Sequence, residues 1–366
     1  MKVNEKRLLE EFLELTAIDS ISFEERRMAD RLLQKLWELG FEVMEDETGE
    51  SAGNVYGFLK GTMPGPGILL SAHMDTVQPG IGKKTVVKED KITSDGTTVL
   101  GADDVSGIVE ILEAVRMIQE EKLPHRDIEV LFPFAEEAYV KGSAQFDYSK
   151  VKAKEAYVLD SSGPVGAAVL QEPTLISFCV TVKGKAAHAG FAPEQGVNAI
   201  LAAANAVSRI RQGRIGKDST VNIGMISGGA ATNIVAEECI CKGEIRSNIH
   251  ETALELLKEV KTVFLTEAKK AGAEAKLEYE INLVAYQVPE DAPVVQHFKQ
   301  ACEKIGIEPK LSVSFGGSDN NSFARNGIPG VVLTCGMQNI HTTKEFIMLS
   351  DLKKGAELAA SLIGEV

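Results

Sequence analysis

Hydrophobic and polar positions along this chain follow two periods, and the places where one gives way to the other mark its elements. Over the first 40 residues the apolar positions recur at helical spacing, which predicts two amphipathic helices. Ser22 and Glu25 stand at capping-box spacing where the second would start, and Gly40 would close it. Short apolar runs at 41–46, 54–59 and 67–72 read as strands. A helical pattern over 104–119 then precedes two more strands, 127–134 and 155–159. Strands alternating with helices predict an α/β domain built on a doubly wound, mainly parallel sheet.

Near 174 the pattern changes. Strand 175–184, helix 196–212, strands 219–227 and 234–246, helix 251–271 and strand 274–284 follow in turn. That βαββαβ order is the ferredoxin-like split pattern, a small α+β domain in itself. After Pro289 the earlier style resumes, with helix 292–305, strand 310–315, helix 318–326, strand 330–335 and helix 350–363. The chain therefore predicts a discontinuous domain, 1–174 with 287–366, into which a second domain, 175–286, is inserted. A length of 366 residues agrees, since single cores rarely grow that large.

Composition narrows the class without naming a function. Hydrophobic residues at 44% and charged residues at 25% are ordinary for a globular protein. A net charge of −14 argues against a nucleic-acid partner, and carboxylates are what a divalent metal site needs. No run approaches the ~20 apolar residues of a membrane span, and Met1–Arg7 lacks the apolar core of a signal peptide. Cys179, Cys239, Cys241, Cys302 and Cys335 are odd in number and form no Cys-x-x-Cys. They read as buried small hydrophobes in a reducing compartment, which predicts a cytoplasmic protein.

The candidate chemistry collects where strands end. Ser71-Ala72-His73-Met74-Asp75-Thr76 follows the apolar run Ile68-Leu69-Leu70, and a spacing of two places His73 and Asp75 on one face. Alone, such a pair is more often structural than chemical. Gly101-Ala102-Asp103-Asp104 stands just before a helix, where an acid either caps the helix or answers a cation. Glu136 and Glu137 leave the strand 127–134, Asp160 ends the strand 155–159, and His341 follows the strand 330–335 by a short loop. In a doubly wound sheet these carboxyl ends converge on one edge. Two imidazoles and several carboxylates, with no thiolate, suit a pair of Zn²⁺ ions or similar divalent metals sharing a bridging Asp. A remaining Glu would serve as general base.

The order His-x-Asp, Gly-x-Asp-Asp, Glu-Glu, Asp and a late His, wrapped around an inserted domain, resembles the M20 metallopeptidases, and within them the peptidase T (tripeptide aminopeptidase) branch. The resemblance spans nearly the whole chain. It implies His73 and Asp160 on one metal, Glu137 and His341 on the other, and Asp103 bridging them, followed by a cis peptide bond. It implies Asp75 as the orienter of His73 and Glu136 as the base. Zn²⁺ is the expected metal, with Co²⁺ or Mn²⁺ as alternatives. In the inserted domain His188, Asn233 and Arg246 lie in segments resembling the family's substrate-binding elements, with Arg246 suited to clamp a peptide carboxylate. The same domain is expected to act as a lid and to pair two subunits. Val105, Tyr139 and Phe315 replace the Lys, Gly and Arg common in relatives, which touches the substrate more than the chemistry. The implied reaction is removal of an N-terminal residue from short peptides. Carboxypeptidase, dipeptidase or N-acyl-amino-acid deacylase activity at the same site, or a non-catalytic binding role, are the alternatives.

Overall fold

The computed structural model describes residues 2–364, which divide into two compact units. The larger comprises residues up to 171 with 287–314 and the stretch from 318 onward; the smaller comprises 172–286 with 315–317.

The larger unit is built on an eight-stranded sheet. At its centre Ile128–Phe132, Ile68–Ser71, Glu155–Ser161 and Gly330–Thr334 run parallel and side by side. All but the end of Glu155–Ser161 is buried, so these segments read as unbroken apolar runs and not as alternation. Val55–Leu59 and Glu42–Glu45 extend one side as antiparallel strands. Ala167–Val169 and Lys310–Ser312 complete the other. Helices Ala102–Glu121 and Leu349–Ile363 pack together. At their contact the carboxyl group of Glu110 lies about where a side chain on Gly355 would begin, so a larger residue there would displace Glu110.

Two features depart from the sequence reading. A separate three-stranded sheet joins Thr85–Lys88 and Lys91–Ser94 to the distant strand Phe346–Met348, none of which the pattern showed. The capping box is not formed. The second helix, Arg26–Glu38, has no side-chain hydrogen bond at its N-terminus. The Ser22 hydroxyl bonds instead to distant Asp75, and the Glu25 carboxylate accepts the amides of nearby Phe23 and distant Ala135. Tertiary partners outcompete the local cap.

The smaller unit is a five-stranded antiparallel sheet. In order across it stand Gly213–Ile215, Ser219–Gly228, Glu238–Ser247, Thr174–Lys183 and Glu274–Leu283. Helices Ala199–Arg209 and His250–Ala271 cover one face over a core that includes Phe178, Val180, Ala203, Ile245 and Phe264. Asn198 caps the first through the Leu201 amide, and Gly272, at φ +75°, ends the second in the left-handed region that glycine adopts without strain. The expected strand 234–246 begins later, at Glu238: Thr232 and Asn233 turn, and Ile234 makes an isolated bridge to His188.

Candidate metal centre

Four neighbouring parallel strands each deliver one element of the site from the same edge. His73 follows Ile68–Ser71, Glu136 and Glu137 follow Ile128–Phe132, Asp160 lies at the end of Glu155–Ser161, and His341 follows Gly330–Thr334. Asp103 enters from the start of the helix Ala102–Glu121. The seven larger-unit residues that the motifs marked are thereby brought together.

Asp103 sits at the middle. Its Oδ1 is 3.1 Å from His73 Nε2 and its Oδ2 is 3.0 Å from His341 Nε2, one oxygen for each imidazole. His73 Nε2 also lies 3.6 Å from Asp160 Oδ1 and 4.0 Å from Glu136 Oε2. Glu137 Oε1 is 2.8 Å from His341 Nε2, yet it lacks the alignment of a hydrogen bond. Atoms of His73, Asp103 and Glu137, and of His73, Asp104 and Asp160, fall within 4.8 Å of one another, close enough to hold an ion in each set. Asp104 is otherwise engaged: its oxygens accept the His73 amide at 3.1 Å and the Gly107 amide at 3.3 Å. Asp103, by contrast, turns both of its oxygens to the imidazoles. The Asp103–Asp104 peptide bond is cis.

The electrostatics carry the mark of crowded acids. Burial, reinforced by Asp160, pushes the Glu136 carboxyl well above the usual carboxylate range, although His73 opposes it. Burial also raises Asp160 to about 7 and raises Glu137. Asp103 goes the other way: burial would raise it, but hydrogen bonds to His341 and His73 hold it low. The Asp103 carboxylate, followed by that of Glu137, pushes His341 up to about 10 against the effect of burial. Burial opposes charge on His73, and the nearby carboxylates of Asp103, Asp160 and Asp75 outweigh it. A buried set of carboxylates exceeding its imidazoles is electrostatically costly, and divalent cations among them would relieve the repulsion. With hard oxygen and imidazole donors and an unsatisfied Glu137 oxygen, the residues fit such ions.

Asp75 does more than lean on His73. Its Oδ1 lies 3.4 Å from His73 Nδ1 and accepts the Glu136 amide at 2.9 Å, while Oδ2 accepts the Glu137 amide at 3.2 Å and the Ser22 hydroxyl at 2.6 Å. Glu25 accepts the amides of Phe23 and Ala135. Ala135, Tyr139, Val140 and His341 all have φ between +46° and +69°, a region that non-glycine residues occupy at a cost. Sequence reasoning missed Glu345 and the buried Asp319, whose charge also raises Glu136. It also missed the part that Ser22 and Glu25 play here, because their spacing signals a local cap.

The three remaining candidates lie in the smaller unit. His188 is exposed; its Nδ1 accepts the amides of Gly190 and Phe191 at 3.1 and 3.2 Å, so the proton belongs on Nε2. Asn233 stands in a turn and its carbonyl accepts the Ala189 amide. Arg246 is already paired: it donates to both Glu244 oxygens, at 2.8 and 3.3 Å, and to the Phe315 carbonyl at 2.9 Å. The Arg214 guanidinium covers the Phe315 ring at 3.9 Å.

Comparison with known proteins places the chain among peptidases. The family model described as peptidase dimerisation domain, of the M20 type, matches residues 171–272. Models for peptidase family M28 and M42 glutamyl aminopeptidase match 54–201 and 262–358. The crystal structure of aminopeptidase PepT from Bacillus cereus is 41% identical, with a TM-score of 0.93 over 99% of this chain and 98% of that one. A tripeptidase from Staphylococcus aureus is 36% identical, with a TM-score of 0.95 and coverage of 99% and 98%. The uncharacterized protein YqjE of Bacillus subtilis is 40% identical over 99% of both chains.

Proposed function

Because the chain belongs to the M20 metallopeptidases, in their peptidase T-like branch, we propose that it is a two-metal aminopeptidase acting on tripeptides. The observation that carries this reading is the Asp103 carboxylate, with one oxygen toward each of two imidazoles and Glu136 beside them. His73 and Asp160 would hold one ion and Glu137 and His341 the other, with Asp103 shared. When bound, two divalent ions supply water activation and polarisation of the scissile carbonyl. Zn²⁺ is the proposed metal, with Co²⁺ and Mn²⁺ as the alternatives.

The chain's own residues then move the proton. Glu136, with its Oε2 4.0 Å from His73 Nε2, stands beside the metal positions where a general base would meet the attacking water. It takes a proton from the attacking water and passes it to the amine that leaves as the C–N bond breaks. Asp75 keeps His73 oriented and, through the amides of Glu136 and Glu137, fixes the loop carrying the base. In the smaller unit, His188 offers an Nε2–H donor suited to a developing oxyanion. Asn233 and Arg246 are assigned to binding the peptide, and for Arg246 this means exchanging Glu244 for a substrate carboxylate.

Pairing of subunits through the smaller unit belongs to the same proposal. The short strand Gly213–Ile215 covers only Ser219–Val221 of its neighbour, leaving the rest of Ser219–Gly228 as an edge bearing exposed Met225 and Ile226. A cytoplasmic setting is proposed from the five cysteines, all free. No helix among the described residues is long and apolar enough to cross a membrane.

The deciding experiment is a metal-reconstituted assay over free and N-blocked di-, tri- and tetrapeptides, with Glu136→Gln alongside. Free tripeptides should be cleaved, blocked ones left intact, and the variant should lose about 10²–10⁴-fold in kcat with metal still bound. Cleavage of blocked peptides would transfer the site to deacylase chemistry. Wild-type rates in the variant would end the mechanism, and metal binding without hydrolysis of any peptide would leave a binding protein.

A further inference from the structure

Glu345 lies four residues beyond His341, and its side chain is 1% exposed. Both oxygens accept backbone amides from a single distant segment: Oε2 from Leu100 at 2.6 Å and Gly101 at 2.9 Å, Oε1 from Asp103 at 2.9 Å. Three N–H groups on one carboxylate define its place in every direction. Lys83 lies close enough that a Cβ on Gly101 would touch its Cε at 3.2 Å, but its ammonium donates to the Ile18 and Gly80 carbonyls. The amides at Leu100, Gly101 and Asp103 thus meet the Glu345 charge directly.

The consequence falls on Asp103. An acid at the start of a helix ordinarily turns back to cap the first free amides. At the start of Ala102–Glu121, Asp103 and Asp104 have non-helical backbone: Asp104 caps the regular helix beyond them through the Gly107 amide, and the free amides ahead of it, at Leu100, Gly101 and Asp103, go to a carboxylate more than 240 positions away. Asp103 has neither task, and both its oxygens face His73 and His341. Glu345 is in turn anchored beside His341: its own amide donates to the Thr342 carbonyl, and Phe346 opens the strand that pairs with Lys91–Ser94. One segment therefore supplies a ligand and also grips the backbone of another ligand.

We infer that Glu345 is a positioning residue of the metal centre, which holds the Leu100–Asp103 backbone so that Asp103 presents one oxygen to each metal position. The inference rests on the two-metal reading above. Its test reads metal affinity and not turnover. Wild type, Glu345→Gln and a control, Ile347→Val, are stripped of metal and titrated with Zn²⁺ against a chromophoric chelator. The glutamine keeps the shape but turns an NH₂ donor toward backbone donors. The expected result is a loss of about 10–100-fold in affinity for Glu345→Gln, the range for groups that orient metal ligands, with Ile347→Val unchanged.

Equal affinity in Glu345→Gln and wild type overturns the inference. So does an equal loss in Ile347→Val, since that would be general loosening of the segment. Should Glu345→Gln fail to fold, Glu345→Asp is titrated instead: a shorter carboxylate reaches fewer amides, so a smaller loss supports the role and wild-type affinity overturns it. A wild type that binds no Zn²⁺ removes the two-metal reading itself, a result distinct from any difference between variants.

Discussion

In the larger unit the functional side chains are held by backbone amides from distant parts of the chain, whereas in the smaller unit they are held mainly by near neighbours. Asp75, Asp104, Glu25 and Glu345 each accept at least one amide 31 to 245 positions away. His188 is fixed by the two amides at Gly190 and Phe191, and Arg246 by Glu244 two residues away, with the Phe315 carbonyl, 69 positions away, as a further partner. The first arrangement suits chemistry, where ligands must keep their geometry to a fraction of an ångström. The second suits binding, where a side chain exchanges one partner for another. The difference teaches that rigidity has been concentrated on the acids, which repel one another most.

Three changes test that contrast. The largest effect is expected at Asp75: Asp75→Asn leaves the shape intact but removes the charge facing His73 and weakens its hold on the Glu136 and Glu137 amides. Metal affinity should fall about 10–100-fold, kcat with it, and the loss should show in chelator competition before any activity assay. Smaller is the effect of Arg246→Ala, expected to raise KM about tenfold with kcat within a factor of two, because one charge-assisted contact is lost in binding alone. Should kcat fall more than KM rises, this residue of the smaller unit serves the chemical step as the larger unit's acids do, and the contrast fails.

The smallest effect concerns an acid with no task. Glu110 is fully buried, one oxygen has no partner, and burial, with Asp351 adding to it, pushes its carboxyl well above the usual range. The unfolded chain releases this proton from about pH 4.3 upward while the folded chain keeps it, so stability is lost as pH rises. Glu110→Gln should therefore melt with wild type at pH 4 and a few degrees above it at pH 8, with activity unchanged. A constant gap across that range would mean that Glu110 does not titrate where burial puts it.

Much of this molecule is legible in its sequence, and the limits are physical. The central strands are apolar throughout and short, which a linear pattern reveals, and motifs at their ends inherit a common edge from parallel pairing. His73, Glu137, Asp160 and His341 are visible for that reason, and Asp103 from its place at a helix start. Phe346–Met348 is not, because its three residues, preceded by Glu345 in a loop, acquire meaning only from a partner some 250 positions earlier. Ser22 and Glu25 carry a genuine local signal that points the wrong way, since spacing cannot reveal that Asp75 and Ala135 will be nearer than the helix. Arg246 reads as a free clamp because a sequence does not show whether Glu244, on the same face of its strand, has already taken it.

The grip of Glu345 on Leu100, Gly101 and Asp103 has a consequence for synthesis. A growing chain can form Ile68–Ser71, Ile128–Phe132 and Glu155–Ser161 and bring His73 beside Asp160 early, but the backbone of Asp103 stays unclamped until residue 345 has left the ribosome. The segment that brings His341 also locks the Asp103 backbone, so the last part of the cluster to arrive completes it. A nascent peptidase of this design would lack its full centre through most of its own translation.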